Sequence, residues 1–214
     1  AVKNACETLR ERLAPVAAKL LAERFRRSVQ SADISFHGGR VFSRSAPSEA
    51  LTIAELCERA HIEQISMAAT GFYRTPGIGY DKAKGRGTPF YYFAYGAAVS
   101  EVEVDARSGM KRVLRVDILH DVGDTLNTGV DRGQVEGAFV QGMGWLTSEE
   151  LKWSDKGVLS THSASTYQIP AIGDAPADFR VELLENAPQP GTIHGSKAVG
   201  EPPLMLAISV REAL

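Results

Sequence analysis

The C-terminal part of the chain is organised around the stretch Gly195-Ser196-Lys197-Ala198-Val199-Gly200-Glu201-Pro202-Pro203. Its glycines, Gly195 and Gly200, allow the backbone to bend where residues with a Cβ atom cannot. The proline pair disfavours helix in the residue before it and is well tolerated in a first helical turn. We therefore expect a bent loop and then a helix over residues 204–214, with Glu201 just before the helix begins.

Glu201 has two interpretations from local sequence. The free N–H groups and the dipole at a helix N-terminus favour an ionised carboxylate, which is the form that accepts a proton as a general base. Acidic residues are also common at helix starts, where they only cap the helix. The residues around Glu201 leave both interpretations open.

A second helix is predicted over residues 131–151, and it is interrupted by four glycines: Gly133, Gly137, Gly142 and Gly144. A glycine in a helix costs about 1 kcal/mol relative to alanine, so a compensating gain is expected. The simplest gain is the close approach of another backbone or of a ligand. Gln134 lies on this helix, and without further information it is equally well explained as an exposed helix residue.

Hydrophobic periodicity and turn signals predict the other elements. Helices are expected over residues 2–27 and 52–60, and strands over residues 34–42 (a hairpin turning at Gly38 and Gly39), 63–72, 90–104, 113–119 and 179–184. Helices mixed with hairpins, without regular β-α-β alternation, indicate an α+β fold with mixed, mainly antiparallel strands. The chain is treated as one fragment, 1–214, and a division into subdomains 1–62 and 63–214 stays open.

Composition excludes several classes of protein. With 43% apolar residues, the 214-residue chain can bury a real core, and its net charge of −2 argues against a nucleic-acid partner. No apolar stretch reaches the roughly 18 residues that suggest a membrane span. Two distant cysteines and five scattered histidines lack metal-site spacing, so no metal bound directly by this chain is expected. The weakly acidic composition suits a cytoplasmic enzyme.

Three stretches of the chain, taken in order, carry a resemblance to a known family: Ala69-Thr70-Gly71-Phe72-Tyr73-Arg74-Thr75-Pro76, then Gly133-Gln134-Val135-Glu136-Gly137-Ala138-Phe139-Val140-Gln141-Gly142-Met143-Gly144, then Lys197-Ala198-Val199-Gly200-Glu201-Pro202-Pro203. Together they resemble the xanthine dehydrogenase and oxidase branch of the molybdenum hydroxylases. The related aldehyde oxidases generally lack the proline pair and the first stretch's Phe-Tyr-Arg-Thr-Pro run, so the purine-oxidising branch is the closer match. The resemblance implies the C-terminal part of a molybdopterin-binding subunit or domain.

The resemblance also implies roles for residues of this chain. Glu201 would be the general base that takes a proton from a molybdenum-bound hydroxyl, while Gln134 and Gly200 would contact the molybdopterin. The substrate would be a purine, hypoxanthine or xanthine, oxidised to urate. An aldehyde oxidase-like hydroxylase remains an alternative, as does a non-catalytic assembly or dimerisation module of the same enzyme.

The resemblance further implies cofactors and partners outside this chain. FAD and [2Fe–2S] clusters would belong to other parts of the full enzyme, because two cysteines cannot ligate two clusters that need four ligands each. The expected partners are that iron–sulfur and FAD portion and, in an oligomer, other subunits. The sequence begins without Met and stops inside a predicted helix, so we expect an excised fragment. Because the resemblance implies further cofactor and substrate contacts upstream of residue 1, we expect this fragment alone to be inactive.

Overall fold

The computed structural model describes all residues, 1–214, and divides them into two compact units, Ala1–Gly87 and Thr88–Leu214. Four α-helices and three small, mainly antiparallel sheets confirm the α+β fold class. The two units are separated after Gly87, and the open division at residues 62/63 stays a prediction. None of the helices combines the length and the apolar composition needed to cross a lipid bilayer.

The first unit contains two helices and a three-stranded antiparallel sheet in the order β1-β2-β3. The elements are α1 (Val2–Phe25), β1 (Ile34–His37), β2 (Arg40–Ser43), β3 (Ala46–Thr52) and α2 (Ile53–Ile62). The predicted hairpin is confirmed, because Gly38 and Gly39 make the turn with φ of 55° and 73°. The edge strand β3 was not predicted, since Pro47 weakens the strand signal, although an edge strand tolerates proline.

The core of the first unit is formed by the second half of α1, the sheet and α2, and includes Leu21, Val41, Leu51 and Leu56. The predicted start of α2 at Thr52 is confirmed by a capping box. The Glu55 backbone N–H donates to the Thr52 hydroxyl, while the Glu55 carboxylate accepts from the Thr52 backbone N–H at 2.7 Å. The N-terminal half of α1 is more open, with Val2 78% exposed.

The strand predicted over residues 63–72 is wrong, because this segment pairs with no other strand. Side chains of α1 satisfy its carbonyl groups instead: Arg12 donates to the carbonyl oxygens of Ser66 and Ala68 at 2.8 and 2.9 Å, and Asn4 donates to that of Phe72 at 2.6 Å. Apolar content alone does not distinguish a strand from such an extended segment. A short two-stranded sheet of β4 (Gly79–Asp81) and β5 (Arg86–Thr88) follows.

The second unit is built on a three-stranded sheet in the order β6-β7-β8. Its elements are β6 (Gly96–Val104), β7 (Lys111–His120), α3 (Thr128–Thr147), β8 (Asp178–Leu183), a 3-10 helix (Pro202–Ala207) and α4 (Ile208–Ala213). β6 and β7 are antiparallel, whereas β8 runs parallel to β7. The chain between β7 and β8 includes α3, the crossover helix that a parallel neighbour requires.

Three predicted bounds in this unit are corrected. The strand predicted over residues 90–104 begins only at Gly96, because the backbone of the preceding aromatic segment bonds to loops rather than to a strand. The helix predicted over residues 131–151 runs instead over Thr128–Thr147, and the Asn127 side chain caps its start by accepting from the Val130 N–H. The final helix starts as a 3-10 helix at Pro202 and becomes α-helical at Ile208.

The core of the second unit lies between the sheet, α3 and the C-terminal helices. Phe139 of α3 is fully buried and contacts Phe179 of β8, with ring centroids 5.5 Å apart. Val116, Val181, Ala207 and Val210 complete the same cluster. This core holds α3 and the 3-10 helix in fixed relation to the end of β7.

Candidate active site

Glu201 lies at the junction of an irregular loop and the 3-10 helix Pro202–Ala207. Its side chain is exposed and has no hydrogen-bond or ion-pair partner, and it does not cap the helix. Pro203, two residues later, is buried, so the backbone that follows the carboxylate is fixed by packing. The result is an unpartnered carboxylate on an anchored backbone.

The loop before Glu201 is tied to the end of β7 by backbone hydrogen bonds. The Lys197 N–H donates to the Val122 carbonyl at 2.8 Å, and the Asp124 N–H donates to the Gly195 carbonyl at 3.0 Å. Gly123 adopts φ of +65°, and a Cβ atom built on it would lie 2.4 Å from the Gly195 oxygen. Only glycine therefore allows this approach.

The aromatic segment before β6 holds the same loop from another side. The Ala198 N–H donates to the Tyr92 hydroxyl at 2.8 Å, and the Lys197 ammonium donates to the Phe93 carbonyl at 2.9 Å. The ammonium also lies 5.5 Å from the centroid of the Tyr95 ring, within the range of a cation–π interaction. These contacts attach the aromatic segment to the loop.

Lys197 makes its strongest contact with Asp121, the residue after β7. Lys197 Nζ and Asp121 Oδ2 are 2.5 Å apart, and the two side chains are only 7% and 4% exposed. The other carboxylate oxygen of Asp121 accepts the Gly123 N–H at 2.9 Å. The two residues are 76 positions apart, so no local sequence pattern predicts their pairing.

His120 is buried next to this ion pair but is not joined to it by a side-chain hydrogen bond. It is 1% exposed, and its Nδ1 atom has no hydrogen-bond partner. Burial lowers the pKa of His120 below its ordinary value, which keeps the imidazole neutral. His120 is therefore a neutral, buried neighbour of the Lys197–Asp121 pair.

Gln134 and the segment carrying Glu201 meet at Gly200. A Cβ atom built on Gly200 would lie 3.5 Å from Gln134 Oε1, so the side-chain amide and the Gly200 backbone are neighbours. Both residues are exposed, and the Gln134 amide has no hydrogen-bond partner. Two of the three sequence-predicted site residues are thus adjacent in space, and the third, Glu201, directly follows one of them in the chain.

Close packing of α3 on the 3-10 helix maintains this neighbourhood. A Cβ atom on Gly142 would lie 2.3 Å from the Leu204 carbonyl oxygen, and one on Gly144 would lie 2.3 Å from the Pro170 ring. The expected close approach of another backbone is thus confirmed at Gly142, whereas the neighbour of Gly144 is a side chain. Gly133 and Gly137, in contrast, face open space with nothing within 4 Å.

The chemistry available here is that of a free carboxylate, an amide and accessible backbone. The Gln134 amide can donate and accept hydrogen bonds, and the Gly200 backbone is open to a ligand because no Cβ covers it. No group of three or more His, Cys, Asp and Glu side chains that could hold a metal ion occurs in the chain. The amide, the open backbone and the carboxylate can together bind a polar organic ligand beside a proton acceptor.

Comparison with known proteins identifies the family. The model of the molybdopterin cofactor-binding domain matches residues 1–176. Over 151 residues, the chain is 54% identical to xanthine dehydrogenase/oxidase of Felis catus, an alignment that covers 71% of the chain and 11% of that protein. Over 214 residues, it is 42% identical to xanthine dehydrogenase/oxidase of Gallus gallus, with 100% of the chain and 14% of that protein covered.

A solved structure gives the same answer for the fold. Quinoline 2-oxidoreductase from Pseudomonas putida 86 is similar with a TM-score of 0.62 and 26% identity, over 95% of this chain and 24% of that one. The chain belongs to the molybdopterin cofactor-binding domain family. The family and the cofactor class expected from the three sequence stretches, those of the xanthine dehydrogenases, are thereby confirmed.

Proposed function

We propose that this chain forms part of the active site of a xanthine dehydrogenase-like molybdenum hydroxylase, in which Glu201 is the general base for the hydroxylation of a purine. The observation that carries the proposal is the exposed, unpartnered carboxylate of Glu201 on an anchored backbone, directly after Gly200, which adjoins the free amide of Gln134. An acid that only stabilised the helix would be expected to cap it, and Glu201 makes no such bond.

The free donors and acceptors fit a molybdopterin. Gln134 would hold the pterin by hydrogen bonds, and the Gly200 backbone would allow its close approach. The bound molybdenum cofactor would supply the two-electron redox chemistry that replaces a purine C–H bond by C–OH, with oxygen from water and release of two protons and two electrons. Glu201 would accept one of those protons, and its lack of an internal partner leaves its oxygens free to do so.

The purine as substrate is supported by the similarity to xanthine dehydrogenases and by the stretches shared with the purine-oxidising branch. The aligned regions cover only 11% and 14% of those two relatives. We therefore propose that further cofactor and substrate contacts, the FAD and the iron–sulfur clusters belong to other parts of the full enzyme. The 214-residue chain alone should retain no stoichiometric molybdenum and oxidise no purine.

The decisive experiment is Glu201→Gln in the full-length enzyme that carries this chain. Loss of the base should lower xanthine turnover about 100-fold or more, with the molybdenum content unchanged. Glu212→Gln, a change at an exposed carboxylate of α4, is the matched control and should keep normal turnover.

The second candidate, an assembly module, is favoured by the open faces of Gly133 and Gly137 on α3. It predicts near-normal turnover for Glu201→Gln and altered subunit association for bulky substitutions at these glycines. Sedimentation of the full-length variants separates the two functions. Normal turnover in Glu201→Gln would refute the role of this residue as base.

A further inference from the structure

We propose that Lys197 and Asp121 form a buried positioning pair that fixes the loop bearing Glu201 and thereby the direction in which its carboxylate points. The inference rests on the proposed function of Glu201 and extends it to residues that do not touch a substrate. Both side chains are more than nine-tenths buried, whereas Gln134 and Glu201 are exposed.

The pair joins segments that are distant in sequence. Asp121 follows β7, and its own N–H donates to the Tyr95 carbonyl at 2.8 Å. Lys197 reaches Asp121 and the Phe93 carbonyl with the same ammonium group. One ammonium group therefore joins the end of β7, the aromatic segment and the loop. Because the Lys197 side chain is buried, little water can replace these hydrogen bonds.

The loop needs such an anchor because it has little regular structure. Beyond Ala198 only Val199 packs against the core before the chain reaches exposed Gly200 and Glu201. Glu201 is thus held between Lys197 on one side and buried Pro203 on the other. Loss of the Lys197 ammonium would remove its bonds to Asp121 and Phe93 and leave this part of the loop held by the N–H groups of Lys197 and Ala198, so that the carboxylate can move.

Stability is a weaker explanation for the pair. Taking two charges out of water costs about as much as their attraction returns, so apolar replacements of a buried pair are often neutral or stabilising. What the pair provides instead is a single conformation of the loop that carries Glu201. A displacement of about 1 Å at a reacting group can cost about 100-fold in rate, so a positioning pair has a measurable effect on catalysis.

The test uses the full-length enzyme with Lys197→Met and with the double change Lys197→Met/Asp121→Asn. The single change leaves a buried carboxylate unpaired and can prevent folding, whereas the double change removes both charges. Arg180→Met, which breaks an exposed ion pair on β8, is the matched control. Turnover is expressed per bound molybdenum, and hydrogen exchange is followed in the peptide over residues 195–203.

We expect the double variant to keep its thermal midpoint while the 195–203 amides exchange about 10-fold faster and turnover falls about 10- to 100-fold. Arg180→Met should change neither quantity. Wild-type exchange and turnover in the double variant would overturn the positioning role. So would an exchange increase spread over all of the second unit, because that indicates general destabilisation.

A double-mutant cycle with Glu201→Gln separates this inference from the proposed function. If the pair acts through Glu201, adding the charge-pair change to Glu201→Gln should lower the residual turnover by no more than about threefold. A full multiplicative loss would overturn the positioning role and leave Glu201 as base. Normal turnover in Glu201→Gln alone would overturn the proposed function and, with it, this role.

Discussion

Gly142 lies so close to Leu204 that a Cβ atom built on the glycine would come within 2.3 Å of the leucine carbonyl oxygen. This contact sets the spacing between the helix that carries Gln134 and the 3-10 helix that follows Glu201. We predict that Gly142→Ala destabilises the second unit by about 1–3 kcal/mol, because a backbone atom cannot move aside as a side chain can. Both tryptophans lie in this unit, so urea unfolding followed by tryptophan fluorescence measures the change.

Gly137→Ala is the matched control for that substitution. Gly137 lies on the same helix with nothing within 4 Å, so alanine should stabilise the isolated chain by up to about 1 kcal/mol through its helix propensity. Equal destabilisation by both changes would contradict the role assigned to Gly142. If Gly137→Ala stabilises the isolated chain but weakens subunit association of the full-length enzyme, the open face of α3 contacts another part of that enzyme.

Gln134→Leu should reduce cofactor retention. The substitution keeps the size of the side chain but removes the hydrogen-bonding amide beside Gly200, so we expect about 10-fold weaker binding of the molybdenum cofactor in the full-length enzyme. Gln141→Leu changes an exposed glutamine two turns later on α3 and should leave the molybdenum content normal. Metal analysis of the purified variants measures their molybdenum content. Equal molybdenum content in the two variants would argue against a pterin contact at Gln134.

His120 should make the stability of the second unit sensitive to acid. Burial lowers its pKa in the folded state, so below its ordinary pKa of 6.5 the unfolded chain binds a proton that the folded chain does not. The contribution of neutral His120 to the free energy of unfolding is therefore fully present above pH 6.5 and decreases as the pH falls below that value. Unfolding midpoints between about pH 7 and pH 5 measure the effect.

His120→Leu should remove this part of the acid sensitivity, since no imidazole remains to be protonated on unfolding. His61→Gln replaces an exposed histidine of the first unit and leaves His120 in place, so the acid sensitivity should persist. If the His120→Leu variant followed the same pH dependence as the wild-type chain, another group would be responsible.

Thr52→Ala should loosen α2 by removing the hydroxyl that accepts the Glu55 N–H at 3.1 Å. A lost N-cap of this kind typically costs about 1 kcal/mol. Hydrogen exchange of the α2 amides should accelerate about fivefold in this variant. Thr8→Ala, at an exposed position inside α1, should leave those amides unchanged, and unchanged exchange in Thr52→Ala would show that the cap contributes little.

Much of the fold was predictable wherever short-range signals agree. The Gly38-Gly39 turn and the start of α2 at Thr52 each depend on neighbours in the chain, and each occurs as expected. The predictions failed where a backbone found a distant partner. The 63–72 segment looks like a strand by composition, yet Arg12 and Asn4 of α1 take its carbonyl groups.

The sequence by itself determined the family, the glycine-bearing helix and the candidate residues Gln134, Gly200 and Glu201. Each of these is recognised from a contiguous stretch of residues, so no contact between distant parts of the chain is needed to find it. The tertiary structure alone decided that Gln134 adjoins Gly200, that β8 runs parallel to β7 and that Lys197 pairs with Asp121. The reason is physical: contacts between residues far apart in the chain depend on packing and desolvation, which no local pattern records.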